Sequence, residues 1–167
     1  MAYKVTIGQF AKRCERLGGE LEQAALRGLR SAGERMVGVV VEEINKPNPA
    51  EGVQHAAVDT GELQRSVKST GTSDGALVSV DAPHAPYMEF GTRPHFPPPE
   101  PIAEWAYRKG LADDEEEAMR IALAICRTIA RWGMNPRHYM ARAVDTMKRR
   151  GVVGDEVKRE LAKLKGI

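Results

Sequence analysis

The chain has four histidines, and three of its metal- or acid–base-capable residues cluster in one segment. His84, Glu89 and His95 lie close together, and such side chains bind zinc or transfer protons. Their spacing matches neither HExxH nor a two-cysteine zinc pattern, and His138 lies far down the chain. Exposed loop histidines are therefore the favoured interpretation, and a metal-dependent enzyme built on these three residues is the alternative.

Cysteine and nucleophile chemistry find little support. Cys14 and Cys126 are the two cysteines of the chain, so a disulfide framework and a CxxC site are both excluded, and we predict two reduced, half-buried thiols. The sequence contains no GxxxxGK[ST] or GxGxxG phosphate loop and no GxSxG nucleophile elbow. We therefore expect neither catalysis nor a cofactor or metal.

Arginines form the most suggestive charged cluster. Arg127 and Arg131 are one helical turn apart, and Arg137 follows after a predicted bend. They could face DNA phosphates, a DNA channel or an acidic partner, or form a solvated helix face. Because 25 Lys and Arg oppose 23 Asp and Glu, the net charge of +2 favours the solvated face. A nucleic-acid-binding module remains the alternative function.

Length and composition predict how these residues are carried. A chain of 167 residues with 42% hydrophobic and 29% charged residues fits one globular domain, 1–167, with a core at about 17–147. The N-terminus lacks the basic-then-apolar order of a secretory signal, and no apolar run approaches the roughly 20 residues of a membrane span. We expect a soluble protein made in the cytosol, with no membrane partner.

The first element is a long amphipathic helix. Its apolar residues recur every three or four positions from Leu17 to Ile44, and Gly28, Gly33 and Gly38 leave flat patches for close backbone approach. Prolines end the helix, and 47–58 is predicted to be an exposed loop. The stripe consists of Leu17, Leu21, Ala25, Leu29, Ala32, Met36, Val40 and Ile44. Lys4–Ile7 has the composition of an edge strand.

A small antiparallel sheet follows. Asp59 and Glu62 have the spacing of a capping box for one helical turn. Strands are predicted at 64–69 and 76–80 on either side of turn residues 71–75, which makes a β-hairpin near 64–80. Because a lone hairpin is marginal, it must pack on a helix.

The remaining chain is predicted to be mainly helical, which gives an α+β fold. Proline-rich 93–101 is an exposed connector, and Pro101 begins a helix through Lys109. Asp113 and Asp114 cap a helix ending at Gly133, and Pro136 begins the next. Gly151–Gly154 precedes a peripheral, charged C-terminal helix within 151–167. The inner face of the helix before Gly133 is predicted to be Ala118, Ile121, Ala122, Ile125, Ile129 and Trp132.

Three motifs in order resemble those of a neck-protein family of long-tailed DNA bacteriophages and prophages. Residues 58–67 (VDTGELQRSV) are similar to the family's VDTGxLxxSI signature, and 85–92 (APYMEFGT) to its A-x-Y-x-E-F-G-T segment. Residues 135–143 resemble its P-x-x-F-x-x-x-A stretch, with Tyr139 in place of the usual Phe. The resemblance spans about Leu17 to Met147, with a longer insertion from Phe96 to Trp132.

This resemblance implies a structural virion protein. Such proteins join head to tail or complete the tail as a ring, commonly sixfold, around a channel through which DNA passes. The implied partners are further copies of the chain, a head-closure protein and a tail terminator or tail tube. The implied locations are the host cytoplasm during assembly and then the virion.

The resemblance also assigns expected roles to motif residues. Asp59 and Glu62 would fix the start of the first strand, and Gly61 would allow a tight approach. Tyr87 and Phe90 would anchor their loop to the sheet after a helical turn ended by a left-handed Gly91. The loops 47–58 and 93–101 are the expected partner contacts, although fold maintenance alone is an equally good interpretation of the motifs. The remaining motif residues are Thr60, Leu63, Ser66, Glu89 and Thr92.

Overall fold

A computed structural model describes the backbone of residues 7–53 and 59–164. Within these residues the chain forms seven α-helices and one two-stranded antiparallel sheet, which confirms the α+β prediction. Of the predicted edge strand Lys4–Ile7, residues 4–6 lie outside the described part, and Ile7 is the first residue of a helix.

The described chain divides into two compact units. The first unit contains residues up to Lys46, 59–82 and the chain from Tyr139 onwards. The second unit contains 47–53 and Pro83–His138. The assignment of all 167 residues to one domain stays a prediction.

Helix α1, Ile7–Ile44, is the longest element of the first unit. Ala32, Val40 and Ile44 of the predicted stripe are buried, whereas Leu17 is 38% exposed. Helix α7, Val152–Leu161, packs antiparallel to α1. Glu160, near the C-terminal end of α7, pairs with Arg27 of α1, so α7 does not cover Leu17. The start of α1 extends beyond that region.

Glycines allow other elements to approach α1 closely, as the sequence predicted at two of three positions. A methyl group on Gly28 would lie 2.6 Å from the Cα of Val157, and one on Gly33 would lie 2.5 Å from the Cβ of Ala76. A methyl group on Gly38 would meet no atom of the described structure within 4 Å. Gly28 thus sets the contact with α7, and Gly33 sets the contact with the hairpin.

The hairpin consists of β1, Val67–Gly71, and β2, Ala76–Val80, with Val67 opposite Val80. The strand at 76–80 is confirmed, and the first strand begins later than predicted because helix α2, Glu62–Arg65, precedes it. The predicted capping box is wrong. Gly61, not Asp59, is the N-cap of α2, and its φ of 77° places it in the left-handed region that glycine favours.

Helix α6, Tyr139–Arg149, and α7 complete the first unit. Pro136 does not begin α6, which starts at Tyr139 after His138 with a φ of 49°. Gly151 is left-handed and separates the two helices, whereas Gly154 lies inside α7. The C-terminal helix is not peripheral, because Glu156 is only 2% exposed and bonds to α1.

The second unit contains a 3₁₀ turn, Pro49–Glu51, and helices α3, Ala85–Phe90, α4, Pro99–Arg108, and α5, Glu115–Trp132. Helix α4 begins at Pro99, two residues before Pro101. The fixed φ of Pro99 suits the first position of a helix, as the prediction had assumed for Pro101.

Helix α5 begins and ends largely as predicted. The Asp114 side chain caps it by accepting a 2.7 Å hydrogen bond from the Glu117 backbone amide, and Gly133 ends it. Trp132 does not belong to the inner face, since it is 66% exposed. The core between α4 and α5 consists mainly of Ala103, Ala112, Ala118 and Ala122.

Cys126 is fully buried in α5 rather than half-buried, and its thiol lies 3.5 Å from the Pro97 carbonyl oxygen. The thiol is free, as the reduced-thiol prediction requires. The side chain of Cys14 lies outside the described residues. No described helix has the length and apolar composition needed to cross a bilayer.

Candidate docking surface

The first motif lies in the first unit, where most of its residues shape the turn before β1. The Thr60 side chain accepts a 3.4 Å hydrogen bond from the Glu62 amide, and Leu63 is buried. The Ser66 hydroxyl donates a 2.8 Å hydrogen bond to the Leu63 carbonyl. Asp59 is exposed ahead of this turn. These contacts fit fold maintenance.

The second motif forms α3 and its C-terminus in the second unit. Glu89 is buried, whereas Tyr87 and Phe90 are 59% and 73% exposed. The expectation that Tyr87 and Phe90 anchor their loop is therefore wrong, since both rings face outwards. Gly91 ends the helix at φ 71° and ψ −171°, which is an extended conformation accessible to glycine and not the predicted left-handed one.

Backbone hydrogen bonds join the second motif to the beginning of the third. Met88 and Glu89 at the end of α3 accept bonds of 2.9 and 3.1 Å from the amides of Arg137 and His138. Thr92 and Met134 exchange two more, of 3.0 and 3.3 Å. Two segments that are distant in sequence thus form one paired cluster.

Two glycines make this pairing sterically feasible. A methyl group on Gly91 would overlap the Met134 carbonyl oxygen, and one on Gly133 would overlap the Thr92 carbonyl oxygen. Both residues also have φ values near 70°, where a side chain is strained. Gly91 of the second motif therefore allows the two backbone segments to approach closely enough to pair.

The segment after α1 is fastened to the same cluster. Asn48 is buried, and its side-chain amide donates a 3.2 Å bond to the Arg137 carbonyl. The Asn48 and Val53 backbones pair across the 3₁₀ turn. The described part of the predicted loop 47–58 is therefore exposed apart from Asn48 and Val53, but it is internally bonded.

An open groove lies beside this cluster, and we call it the aromatic groove. It has a volume of about 510 Å³. Phe90, Phe96 and Trp132 are also well exposed in this unit. The residues that define the groove are His84, Tyr87, Met88, Arg93, His95 and Met134.

The histidine cluster predicted from sequence is not assembled as a ligand set. His84 and His95 are exposed, whereas Glu89, which belongs to α3, is buried. The His95 Nδ1 atom lies 2.9 Å from the Arg93 carbonyl oxygen. In the described residues, no group of three or more His, Cys, Asp or Glu side chains is placed to hold a metal ion.

The three arginines differ in setting. Arg127 and Arg131 are exposed on α5, and the Arg131 guanidinium lies 4.8 Å from the centre of the Trp132 ring. Arg137 is half-buried and lines a cleft with Trp132 and Met134. Met134 lines both this cleft and the aromatic groove.

A second groove, between α4 and the start of α5, was not predicted. We call it the acidic groove. It has a volume of about 360 Å³, and its charged lining residues are all glutamates. The i, i+4 spacing of Glu100 and Glu104 is its sequence signal. The residues that define it are Glu100, Ala103, Glu104, Tyr107, Glu115 and Met119.

Comparison of the chain with protein-family models, curated protein sequences and solved structures finds no match. The family resemblance consequently rests on the three motifs. To these the geometry adds a reason for two motif residues: Gly91 leaves room for the backbone pairing, and the Thr92 hydroxyl accepts a 3.1 Å hydrogen bond from the Met134 amide.

Proposed function

We propose that this chain is a structural virion protein at the neck of a long-tailed phage or prophage, where it joins head to tail or completes the tail as part of a ring. One observation carries the proposal. Four backbone hydrogen bonds tie the second motif to residues 134–138, where the third motif begins, and Tyr87 and Phe90 of the resulting cluster are exposed.

The distribution of aromatic residues supports a contact function. Aromatic side chains are only 5% of the chain, yet Tyr87, Phe90, Phe96, Tyr107 and Trp132 are exposed in the second unit. Exposed aromatic patches are typical of protein-binding surfaces, where tyrosine and tryptophan contribute most of the affinity. We therefore propose a scaffold that binds other proteins and does no catalysis.

The first unit fits the same proposal as a framework. Its long helix, hairpin and following helices correspond to the helix–sheet–helix plan that the resemblance implies. The proposed partners are further copies of the chain, a head-closure protein and a tail terminator or tail tube, with DNA present only in transit.

Deletion of the gene from an inducible phage or prophage tests this function. Negative-stain microscopy of the induced particles should show filled heads apart from tails, or tails of uncontrolled length, and the wild-type gene in trans should restore whole particles. Separate heads and tails indicate joining, whereas irregular tail length indicates tail completion. Normal infectious particles from the deletion strain would contradict the proposal.

A nucleic-acid-binding module is the second candidate, favoured by the stacking of exposed Arg131 on exposed Trp132. Base stacking on tryptophan and phosphate contact by arginine predict binding that weakens steeply with salt. Titration of a fluorescent oligonucleotide with Arg131→Ala should then show a lower affinity and a shallower salt slope. Arg120→Ala, an exposed arginine of the same helix, is the control.

A further inference from the structure

The two grooves of the second unit have opposite charge, and both have apolar lining residues. Both contain a tyrosine and a methionine, Tyr107 and Met119 in the acidic groove and Tyr87 and Met134 in the aromatic groove. The acidic groove has three glutamates and no cationic lining residue. The aromatic groove has Arg93, His84 and His95 and no carboxylate in its lining. Each groove thus offers what the other lacks.

The grooves lie towards opposite ends of α5. Glu115 of the acidic groove is the first residue of the helix, and Met134 of the aromatic groove follows its last residue, Trp132. An 18-residue helix is about 27 Å long. One copy of the unit cannot bring its own grooves together, but two copies can.

The charge separation is larger than a single helix requires. Acidic residues in the first turn of α5 and Arg131 in its last turn are what the helix dipole favours. Glu100 likewise lies in the first turn of α4, where the dipole of that helix favours it. Neither dipole accounts for Glu104, which lies further along α4, or for Arg93, which precedes α4. Helix α4, helix α5 and the segment before α4 therefore all contribute to the charge difference between the two grooves.

We propose that the acidic groove of one copy docks on the aromatic groove of a second copy, head to tail. Glu104 and Glu115 would approach Arg93 of the next copy, with Tyr107 packed against Tyr87. Such a heterologous contact repeats, so it closes into a ring or extends as a filament. The inference deepens the proposed function and rests on it for its biological setting, since it names the surfaces from which a ring would form.

Sedimentation velocity on the purified full chain tests the contact, over a range of concentrations at low and high salt. We expect the wild type to self-associate at low salt and to dissociate as salt screens the charges. Glu104→Lys alone and Arg93→Glu alone should each weaken self-association at least about tenfold. Tyr107→Ser, which changes no charge, should weaken it as well.

Mixing the Glu104→Lys and Arg93→Glu variants gives the most specific test. When the two variants alternate, one junction pairs two unchanged grooves and the next pairs the introduced lysine with the introduced glutamate. Self-association of the mixture should therefore return. Glu116→Lys and Arg120→Glu are the matched controls, because both residues are exposed in this unit and line neither groove.

Several results would overturn the proposal. They are a wild type that stays monomeric at low salt, self-association that neither reversal weakens, and a mixture that does not regain association. Binding of an oligonucleotide or another virion protein to the aromatic groove without self-association also overturns it. None of these results decides the phage function, which the deletion experiment tests separately.

Discussion

The two units differ most in where they place their aromatic rings. Both bury carboxylates, Glu43 and Glu156 in the first unit and Glu89 in the second, but the Tyr139 ring of the first unit is fully buried. The second unit has a core made mainly of alanines and leaves most of its large aromatic rings exposed, although Trp105 is half-buried. Since aromatic rings contribute most to a core when they are buried, the exposed rings of the second unit add little to its stability, which agrees with the contact function proposed for them.

The buried carboxylates of the first unit are paired in detail. Glu156 on α7 lies 2.6 Å from Arg35 and 2.9 Å from Arg159, and it accepts a 2.9 Å hydrogen bond from Ser31. Glu43 on α1 lies 2.9 Å from Lys46 and accepts a hydrogen bond from Thr146 on α6. These pairs fix the register of α6 and α7 on α1.

The largest expected change in unfolding free energy comes from a substitution that breaks the backbone pairing of the second unit. Gly133→Ala combines a strained φ with an overlap on the Thr92 carbonyl, so it should cost at least about 3 kcal/mol of unfolding free energy. Denaturant unfolding followed by tryptophan fluorescence measures it, because both tryptophans, Trp105 and Trp132, belong to this unit.

Gly110→Ala is the matched control for that change. Gly110 has a φ of 68° but no atom of the described structure within 4 Å of an added methyl group, so only the backbone strain remains. We expect a cost of about 1 kcal/mol. Equal losses at Gly110 and Gly133 would show that the close approach to Thr92 contributes nothing.

The next effect concerns the charge buried in the first unit. Glu156→Gln should cost about 2 kcal/mol, since the buried carboxylate loses its charge-assisted contacts with Arg35 and Arg159. Glu20→Gln breaks an exposed pair with Arg16 and should change the unfolding free energy by less than about 0.5 kcal/mol. Thermal unfolding followed by far-UV circular dichroism compares the two, and a Glu156→Gln variant as stable as wild type contradicts the interpretation.

Alanine substitutions at two glycines of α1 should change the unfolding free energy in opposite directions. Gly28→Ala forces a methyl group against the Val157 backbone and should destabilise by about 2 kcal/mol. Gly38→Ala adds the same methyl group in open space and should stabilise by about 0.5–1 kcal/mol through helix propensity. Chemical denaturation of both variants measures the pair, and two changes of the same sign would contradict the packing of α7 on α1.

The smallest effect is electrostatic and lies at the surface of the first unit. Hydrogen bonds from Lys46 and Arg150 lower the pKa of Glu42 from 4.5 to about 2. The pairing therefore stabilises the fold above about pH 4.5, and the contribution is lost as the pH falls towards 2. Carbon-detected NMR titration should give this midpoint, and Arg150→Ala should raise it; an unchanged midpoint in that variant would rule out Arg150 as a cause.

Periodicity predicted the local elements well. The α1 stripe from Ala32 onwards, the strand at 76–80 and the Asp114 cap depend on neighbours in sequence, and each was found. Sequence reasoning did not reveal the pairing of Thr92 with Met134, because no local pattern encodes a contact between segments so far apart.

Two failures have the same physical origin. Trp132 continues the apolar stripe of α5 and was predicted to be buried, but it lies in the last turn, beside Arg131. Tyr87 and Phe90 were expected, from the family resemblance, to anchor their loop to the sheet, but both rings are exposed. Residue type predicts burial when a unit uses its aromatics for stability, and it misleads where they form a surface.

Complementation of the deletion strain tests whether the exposed rings of α3 contact a partner at the head–tail junction. The gene is supplied in trans as wild type, as Tyr87→Ser with Phe90→Ser, and as Leu77→Ser, an equally exposed apolar position in the first unit. Removing these exposed rings should leave the unfolding free energy within about 0.5 kcal/mol of wild type. We expect wild type and Leu77→Ser to restore joined, infectious particles and the folded double variant to leave heads and tails apart. Full restoration by the double variant, or whole particles without the gene, would contradict it.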